Sequence, residues 1–128
     1  MENLAITPIY AAIFTIIMVG LSAYVIKMRY KHRVSLGDGG NKEMLKAIRA
    51  HGNFVEYVPM ALILMALLEL NGESTTVLHG FGVALLIGRV SHAPGLNTRG
   101  TNKLRQSGVV LTYGVLLGMA GLTLFNAF

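Results

Sequence analysis

Four apolar segments alternate with short polar stretches along the chain. They cover residues 6–26, 53–70, 75–90 and 104–125, approximately. The first carries no charged residue, and about 20 apolar residues suffice to span the hydrocarbon core of a bilayer. The second helix is expected to begin earlier than its apolar part, near Asn41, because a glycine-rich loop at 37–40 precedes it. The pattern predicts an all-α integral membrane protein, a four-transmembrane-helix bundle in which residues 1–128 form a single domain.

Composition supports a membrane protein and excludes some kinds of site. The chain is 53% hydrophobic and 13% charged, whereas a soluble domain has about 25% charged residues. It has no cysteine, which excludes a disulfide framework, a thiolate metal site and a cysteine nucleophile. His32, His51 and His79 do not have the spacing of metal ligands, so no metal is expected.

The basic residues predict the orientation of the bundle. They cluster between the first and second segments and between the third and fourth, while the second loop and both chain ends have no Lys or Arg. Loops one and three should therefore face the cytoplasm, with both termini outside. The net charge of +5 follows from this distribution, and no nucleic-acid partner is expected. The first segment should be retained, because no basic residue precedes it and no small-residue cleavage site follows it.

A polar cluster lies at the mouth of the second segment. Arg49, Asn53 and Glu56 are spaced four and three apart, which places them in one narrow arc of a helix. Ionisable groups inside an apolar helix are costly and usually functional. Glu56 needs a cationic partner, which could be Arg49 or an arginine of another helix. Pro59 removes one helix hydrogen bond, and a bend there would open a cavity beside Glu56. The alternative is a buried Arg49–Glu56 ion pair that only fixes helix register.

The predicted topology brings further polar residues to the same membrane face. Arg89 and His92 end the third helix, Arg105 starts the fourth, and Arg29 ends the first. Arginines bind carboxylates or phosphates through forked hydrogen bonds, and a lone carboxylate suits an ammonium group. A zwitterionic ligand with more than one carboxylate fits this set, and the surrounding lipid would supply an apolar second substrate. By itself, His92 is more often an interfacial side chain than a catalyst.

Small residues recur at helical spacing in the last two segments. Gly80, Ala84 and Gly88 follow one another at intervals of four, and Gly114, Gly118 and Gly121 form a second series. Such spacing lets helix backbones approach closely in lipid. The pattern fits contacts within the chain or an interface between subunits.

The stretch RAHGNFVEYVP, residues 49–59, resembles the signature of the MAPEG family, the membrane-associated proteins in eicosanoid and glutathione metabolism. The resemblance rests on Arg49, Asn53, Glu56 and Pro59. It implies a homotrimer of four-helix bundles with glutathione bound between neighbouring subunits at the cytoplasmic side. By the same resemblance, Arg49, Asn53 and Glu56 would bind glutathione, and Glu56 would take its α-amino group.

The resemblance also assigns roles outside the second helix. The run RVSH, residues 89–92, is similar to a third-helix motif of the family, so Arg89 and His92 would line the glutathione pocket. Arg105 matches the arginine beside the thiol and would be the catalytic residue, while Arg29 would complete the binding set. The short loops are similar to those of bacterial members, which implies a bacterial inner membrane.

One departure from the family pattern concerns catalysis. Eicosanoid-forming members have a tyrosine one turn beyond the position of His92, where this chain has Leu96 after Pro94 and Gly95. The leading expectation is a glutathione-dependent transferase or peroxidase acting on hydrophobic electrophiles or lipid hydroperoxides. The alternative is a non-catalytic glutathione- or lipid-binding membrane scaffold. A third hypothesis, a small-solute transporter, would need a charged path through the outer half of the membrane.

Overall fold

A computed structural model describes residues 3–92 and 103–128, and all the regular structure within these ranges is helical. Its four helices are α1 (Thr7–His32), α2 (Lys42–Leu70), α3 (Thr75–Ser91) and α4 (Lys103–Ala127). Helices α1 and α2 and the stretch Arg105–Ala127 are long and apolar enough to cross a bilayer. Helix α3 has 17 residues, or roughly 26 Å at 1.5 Å per residue, which is within the range of membrane spans. The structure thus has the predicted four helices.

The start of α2 confirms the sequence prediction. Asn41 is its N-cap, and the side-chain oxygen accepts a hydrogen bond of 2.9 Å from the backbone N–H of Met44. Ser74 caps α3 in the same way through the N–H of Val77. These caps satisfy N–H groups that have no partner inside the helix.

Helix α1 begins with a different kind of cap. Its N-cap residue, Ile6, makes no side-chain capping bond. Instead the Glu69 carboxylate, at the far end of α2, accepts hydrogen bonds from the backbone N–H groups of Ala5, Ile6 and Thr7 at 2.6–3.0 Å. A carboxylate at a helix N-terminus also interacts favourably with the helix dipole. This contact fixes the antiparallel arrangement of α1 and α2.

Helix α1 extends six residues beyond its predicted apolar span, to His32. It ends where Arg33 adopts a left-handed conformation (φ 54°), and the Val34 N–H then bonds to the Arg29 carbonyl. Basic side chains near the C-terminus of a helix interact favourably with the helix dipole. The basic residues after the apolar span therefore stabilise the last turn of α1, up to His32. The chain then reverses through glycines with positive φ, including Gly39.

The helices pack as α1 against α2, α3 against α4 and α2 against α4. The main core contains Phe14 from α1, Phe54 and Met65 from α2, Leu85 from α3 and Met119 from α4. Much of the apolar surface remains outside the bundle, since only 11% of the most apolar stretch of α1 is buried within the chain. This surface is available to lipid or to other subunits.

Two glycines bring α3 and α4 together. A Cβ atom placed at Gly108 would lie 2.5 Å from the carbonyl oxygen of Gly88, and one at Gly88 would lie 3.1 Å from the Gly108 carbonyl. The predicted small-residue series is thus only partly used within the chain. Gly88 is in this contact and Gly118 faces Phe81, but Gly80, Gly114 and Gly121 have open space around them.

Candidate ligand site at the basic end of the bundle

Helix α2 presents its core residues and its polar cluster on different faces. Its buried residues recur every three or four positions and include Ala50, Phe54 and Val58. At 100° per residue, Arg49 and Glu56 lie on nearly the opposite face of the helix, and Asn53 lies between the two faces. The cluster therefore reaches from the interior of the bundle to its outer surface.

Arg49 and Glu56 form an ion pair on the outer surface. The Nη2 atom of Arg49 donates to both carboxylate oxygens of Glu56, at 3.3 and 3.4 Å. About half of each side chain is exposed, 54% for Arg49 and 48% for Glu56. Arg49 is thus the cationic partner that Glu56 was expected to need. The exposure of both side chains contradicts the alternative hypothesis of an Arg49–Glu56 pair buried within one chain.

Asn53 makes its contact on the inner side. The Nη1 group of Arg89, on α3, donates a hydrogen bond to the Asn53 side-chain oxygen. Arg89 is only 5% exposed, and its Nε and Nη2 groups have no hydrogen-bond partner within the described residues. The structure therefore divides the predicted site into an outer pair, Arg49–Glu56, and an inner pair, Asn53–Arg89.

His92 lies where the end of α3 approaches α4, since a Cβ atom at Gly108 would be 3.3 Å from its backbone nitrogen. It is the C-cap of α3, just beyond the helix. Burial, together with the nearby positive charges of Arg89, Arg105 and Arg49, lowers the pKa of His92 from 6.5 to about 4. His92 is therefore neutral at neutral pH, and the structure brings four predicted residues from three helices within electrostatic reach of one another.

A small cavity lies beside the inner pair. Its volume is about 90 Å³, and it lies between α1, α2 and α3, with Ile17, Phe54, Arg89 and His92 among its lining residues. Glu56 is not among its lining residues, and α2 continues as a helix through Pro59. The expected cavity beside Glu56 stays a prediction.

Arg29 lies in a different environment from the other predicted residues. Its Nη1 group donates to the backbone carbonyls of Val34 and Gly37, at 3.3 and 3.0 Å. It also lines an open groove of about 440 Å³ with Tyr30 and Arg33. Within one chain Arg29 closes the loop after α1, and its predicted contact with glutathione stays a prediction.

Two tyrosines near the cluster were not identified from the sequence. The hydroxyls of Tyr57 on α2 and Tyr113 on α4 lie 2.9 Å apart, and the rings meet edge to face at 5.4 Å. Tyr57 follows Glu56 directly, and this position within the signature stretch could have identified it as a candidate site residue. Tyr113 had no such signal, because its proximity depends on how α4 packs. Leu96, where the sequence departs from the family pattern described above, lies outside the described residues.

Comparison with known proteins identifies the family. Residues 7–125 match the model of the MAPEG family. The chain belongs to the MAPEG family. It is 40% identical to the inner membrane protein YecN of Escherichia coli K12 over 114 residues, which are 89% of this chain and 86% of YecN. YecN of Escherichia coli O6:H1 matches equally. No solved structure matches the chain.

Family membership confirms several predictions made from the sequence. The chain is a MAPEG four-helix membrane bundle and an integral protein of a bacterial inner membrane. The family is associated with glutathione and eicosanoid metabolism, but the name YecN gives no activity. Glutathione binding, the homotrimer and the outward orientation of both termini stay predictions.

Proposed function

We propose that this MAPEG protein binds glutathione through Arg49 and Glu56 and transfers it to hydrophobic electrophiles within the membrane. The observation that carries the proposal is the exposed Arg49–Glu56 pair, which lies in the stretch that resembles the family signature. Such a pair is strongly disfavoured against lipid tails. Because the pair is exposed in a single chain, we infer that a neighbouring subunit and a polar ligand cover it in the membrane.

The charges of the pair suit the two ends of glutathione. The Glu56 carboxylate can accept hydrogen bonds from an ammonium group, and the Arg49 guanidinium can hold a carboxylate through two parallel N–H donors. Binding of the ligand would replace the direct Arg49–Glu56 contacts of 3.3 and 3.4 Å with contacts to groups of opposite charge. Each side chain would thereby keep a charged partner.

Arg105 is proposed to activate the thiol. A free thiol has a pKa near 8.5, and the thiolate is the nucleophile. A guanidinium beside the sulfur stabilises the thiolate and lowers that pKa. The thiolate sulfur would then form a bond to the electrophilic carbon while the leaving group departs with its electron pair. With a lipid hydroperoxide, the thiolate would instead attack the terminal peroxide oxygen. The O–O bond would break, the alkoxide would leave and take up a proton to become the alcohol, and the sulfur would become a sulfenic acid. The thiol of a second glutathione would then displace the sulfenic hydroxyl as water and form the disulfide.

The binding step is tested with glutathione titrated into purified protein in lipid nanodiscs. Glu56→Gln should weaken binding about tenfold or more, because it removes a charge-assisted hydrogen bond. Glu43→Gln is the matched control, since Glu43 is also on α2 but pairs with Lys31 and His32. Wild-type protein that does not bind millimolar glutathione would refute the proposal.

Thiolate absorbance of bound glutathione separates the enzyme from the non-catalytic scaffold. A bound thiol whose pKa falls, and falls less in Arg105→Gln, supports the transferase or peroxidase. Binding with an unshifted thiol pKa supports the scaffold, which the absence of tyrosine at Leu96 favours.

A further inference from the structure

His32 joins the end of α1 to the start of α2 through two side chains. One ring nitrogen, Nδ1, lies 3.1 Å from the side-chain nitrogen of Asn41, and the other, Nε2, lies 3.0 Å from a carboxylate oxygen of Glu43. The imidazole is largely enclosed, since 18% of the side chain is exposed. His32 therefore has a hydrogen-bond partner at each ring nitrogen.

The N-cap of α2 determines which of these groups donates. The Met44 N–H can only donate, so the Asn41 atom that lies 2.9 Å from it is the side-chain oxygen. The other terminal atom of Asn41 is then the NH2 group, which donates to Nδ1 of His32. Because Nδ1 accepts only without a proton, His32 is neutral in this arrangement and donates to Glu43 through Nε2–H. The cap thus specifies both the tautomer and the charge of His32.

A proton added to His32 would oppose this arrangement. The new Nδ1–H would point at the NH2 group of Asn41, which places one donor against another. The Nε2–H bond to Glu43 becomes charge-assisted and stronger when the imidazole is cationic, and Lys31 holds the same carboxylate at 3.1 Å, so the ring is kept in place. Asn41 therefore has to respond. Turning its amide over would give the side-chain oxygen to His32 and take it from the Met44 N–H.

We propose that His32 is a proton-operated switch that releases the N-cap of α2 when the imidazole becomes cationic. A hydrogen bond from a charged donor is roughly twice as strong as one from a neutral donor, so the imidazolium takes the Asn41 oxygen from the Met44 N–H. In the described part of the chain, the charged side chain bonded to His32 is Glu43, and Lys31 is bonded to the same carboxylate. Asp38, in the connecting loop, bonds instead to the N–H of Gly40. Histidine ordinarily changes its charge between about pH 5 and 8, so the switch acts near physiological pH.

The first turn of α2 anchors a small core at the basic end of the bundle. Met44 is fully buried and packs with Met28 and Ala47 in a cluster separate from the main core. Loss of the cap leaves one N–H of this turn without its acceptor, which favours unwinding of the turn and loosens the contact between α1 and α2. The switch thereby couples pH to the order of the α1–α2 connection, and it does not depend on glutathione binding.

The experiment follows both ends of this coupling by NMR, with ¹⁵N-labelled histidine and methionine in the full chain in lipid nanodiscs. The His32 ring signals and the Met44 amide signal are assigned by their loss in His32→Gln and Met44→Leu. At about pH 8 the ring should carry its proton on Nε2, and as the pH falls to about 5.5 the Met44 amide signal should shift with the same midpoint as the ring signals. A proton on Nδ1 at the higher pH, a ring that stays neutral over this range, or a Met44 amide that does not move while His32 titrates would each overturn the proposal.

Three variants locate the coupling. Asn41→Asp replaces the amide by a carboxylate, which accepts from the Nδ1–H of His32 and the N–H of Met44 at once and is itself a good N-cap. The Met44 amide signal should therefore change little with pH in Asn41→Asp, and equally little in His32→Gln. His51→Gln is the matched control, because it removes a different histidine from α2, and it should keep the wild-type shift. A full shift in Asn41→Asp or His32→Gln, or its loss in His51→Gln, contradicts the switch. If His32→Gln does not fold, the wild-type titration and Asn41→Asp decide.

Discussion

The contact between Gly88 and Gly108 gives the sharpest test of the helix packing. In Gly108→Ala the new methyl group would lie 2.5 Å from the Gly88 carbonyl oxygen and 3.3 Å from the His92 backbone nitrogen. Both neighbours are backbone atoms, so no change of rotamer relieves the clash. Helices α3 and α4 would have to separate by roughly 0.5–1 Å, and a gap of that size removes about a quarter to a half of each dispersion contact.

The expected magnitude follows from two opposing effects. Overpacking of this kind costs about 1–3 kcal/mol, whereas replacing glycine by alanine inside a helix gains about 0.8–1.0 kcal/mol. Gly114→Ala is the matched control on the same helix, because a Cβ atom there meets nothing within 4 Å. Both variants share the helix gain, so Gly108→Ala should be less stable than Gly114→Ala by the overpacking cost alone, about 1–3 kcal/mol.

The assay is unfolding followed by far-ultraviolet circular dichroism while SDS is titrated into detergent micelles. Wild type and the two variants are compared at one protein concentration. If Gly108→Ala were as stable as Gly114→Ala, the close approach of α3 and α4 would be refuted. A large loss of stability in Gly114→Ala would instead locate a subunit contact at the open face of α4.

Three further substitutions test individual interactions. Glu69→Gln should lower the free energy of unfolding by about 1–2 kcal/mol, because three backbone N–H groups lose a charged acceptor. In the same SDS titration the control Glu73→Gln should change the stability little. Equal losses in the two variants would contradict the role of Glu69 as the cap of α1. His92→Asn should flatten the acid side of the pH–stability profile. The folded protein protonates His92 near pH 4 and the unfolded chain near 6.5. Wild type should therefore lose about 1–2 kcal/mol as pH falls through this window, after allowance for the partly exposed side chain. An unchanged profile in the variant would refute the assignment. Tyr113→Phe should cost about 0.5–1.5 kcal/mol by removing the hydroxyl contact with Tyr57, and the exposed Tyr30→Phe serves as its control by thermal unfolding.

The sequence predicted the helices well because their boundaries are local features. Apolar length defines a membrane span, and Asn41 marks the start of α2 by its own side chain. The extension of α1 to His32 was missed because its last residues are basic and fall outside the apolar pattern. Apolarity identifies the part of a helix that lies in lipid, whereas a helix can continue into the interface.

Which faces meet was much harder to predict. A membrane helix is apolar on several faces, so the pattern that reveals the core of a soluble protein is weak here. Gly88 and Gly80 belong to the same series of small residues, yet only Gly88 has a neighbour at close range. Gly82 was not in that series, although a Cβ there would meet the Tyr10 ring at 2.4 Å. Such contacts depend on the rotation of one helix against another.

The same limit applies to the candidate site. The spacing of Arg49, Asn53 and Glu56 correctly placed them in one arc of α2, and topology correctly brought Arg89 and His92 near them. The sequence could not tell that Arg89 would be buried while Arg49 remained half exposed. Both are arginines at the end of an apolar segment, and only tertiary packing distinguishes them.

Asn53 is the point where the outer and inner pairs meet. It lies between Arg49 and Glu56 in the sequence, yet its side chain accepts from Arg89. A neutral amide accepts a hydrogen bond from a guanidinium without neutralising it, so Arg89 keeps its full charge while Glu56 remains with Arg49. The outer pair thus offers both signs of charge, which suits a zwitterion such as glutathione. The inner pair offers only positive charge, so the two pairs differ in electrostatic character although their residues come from one predicted cluster.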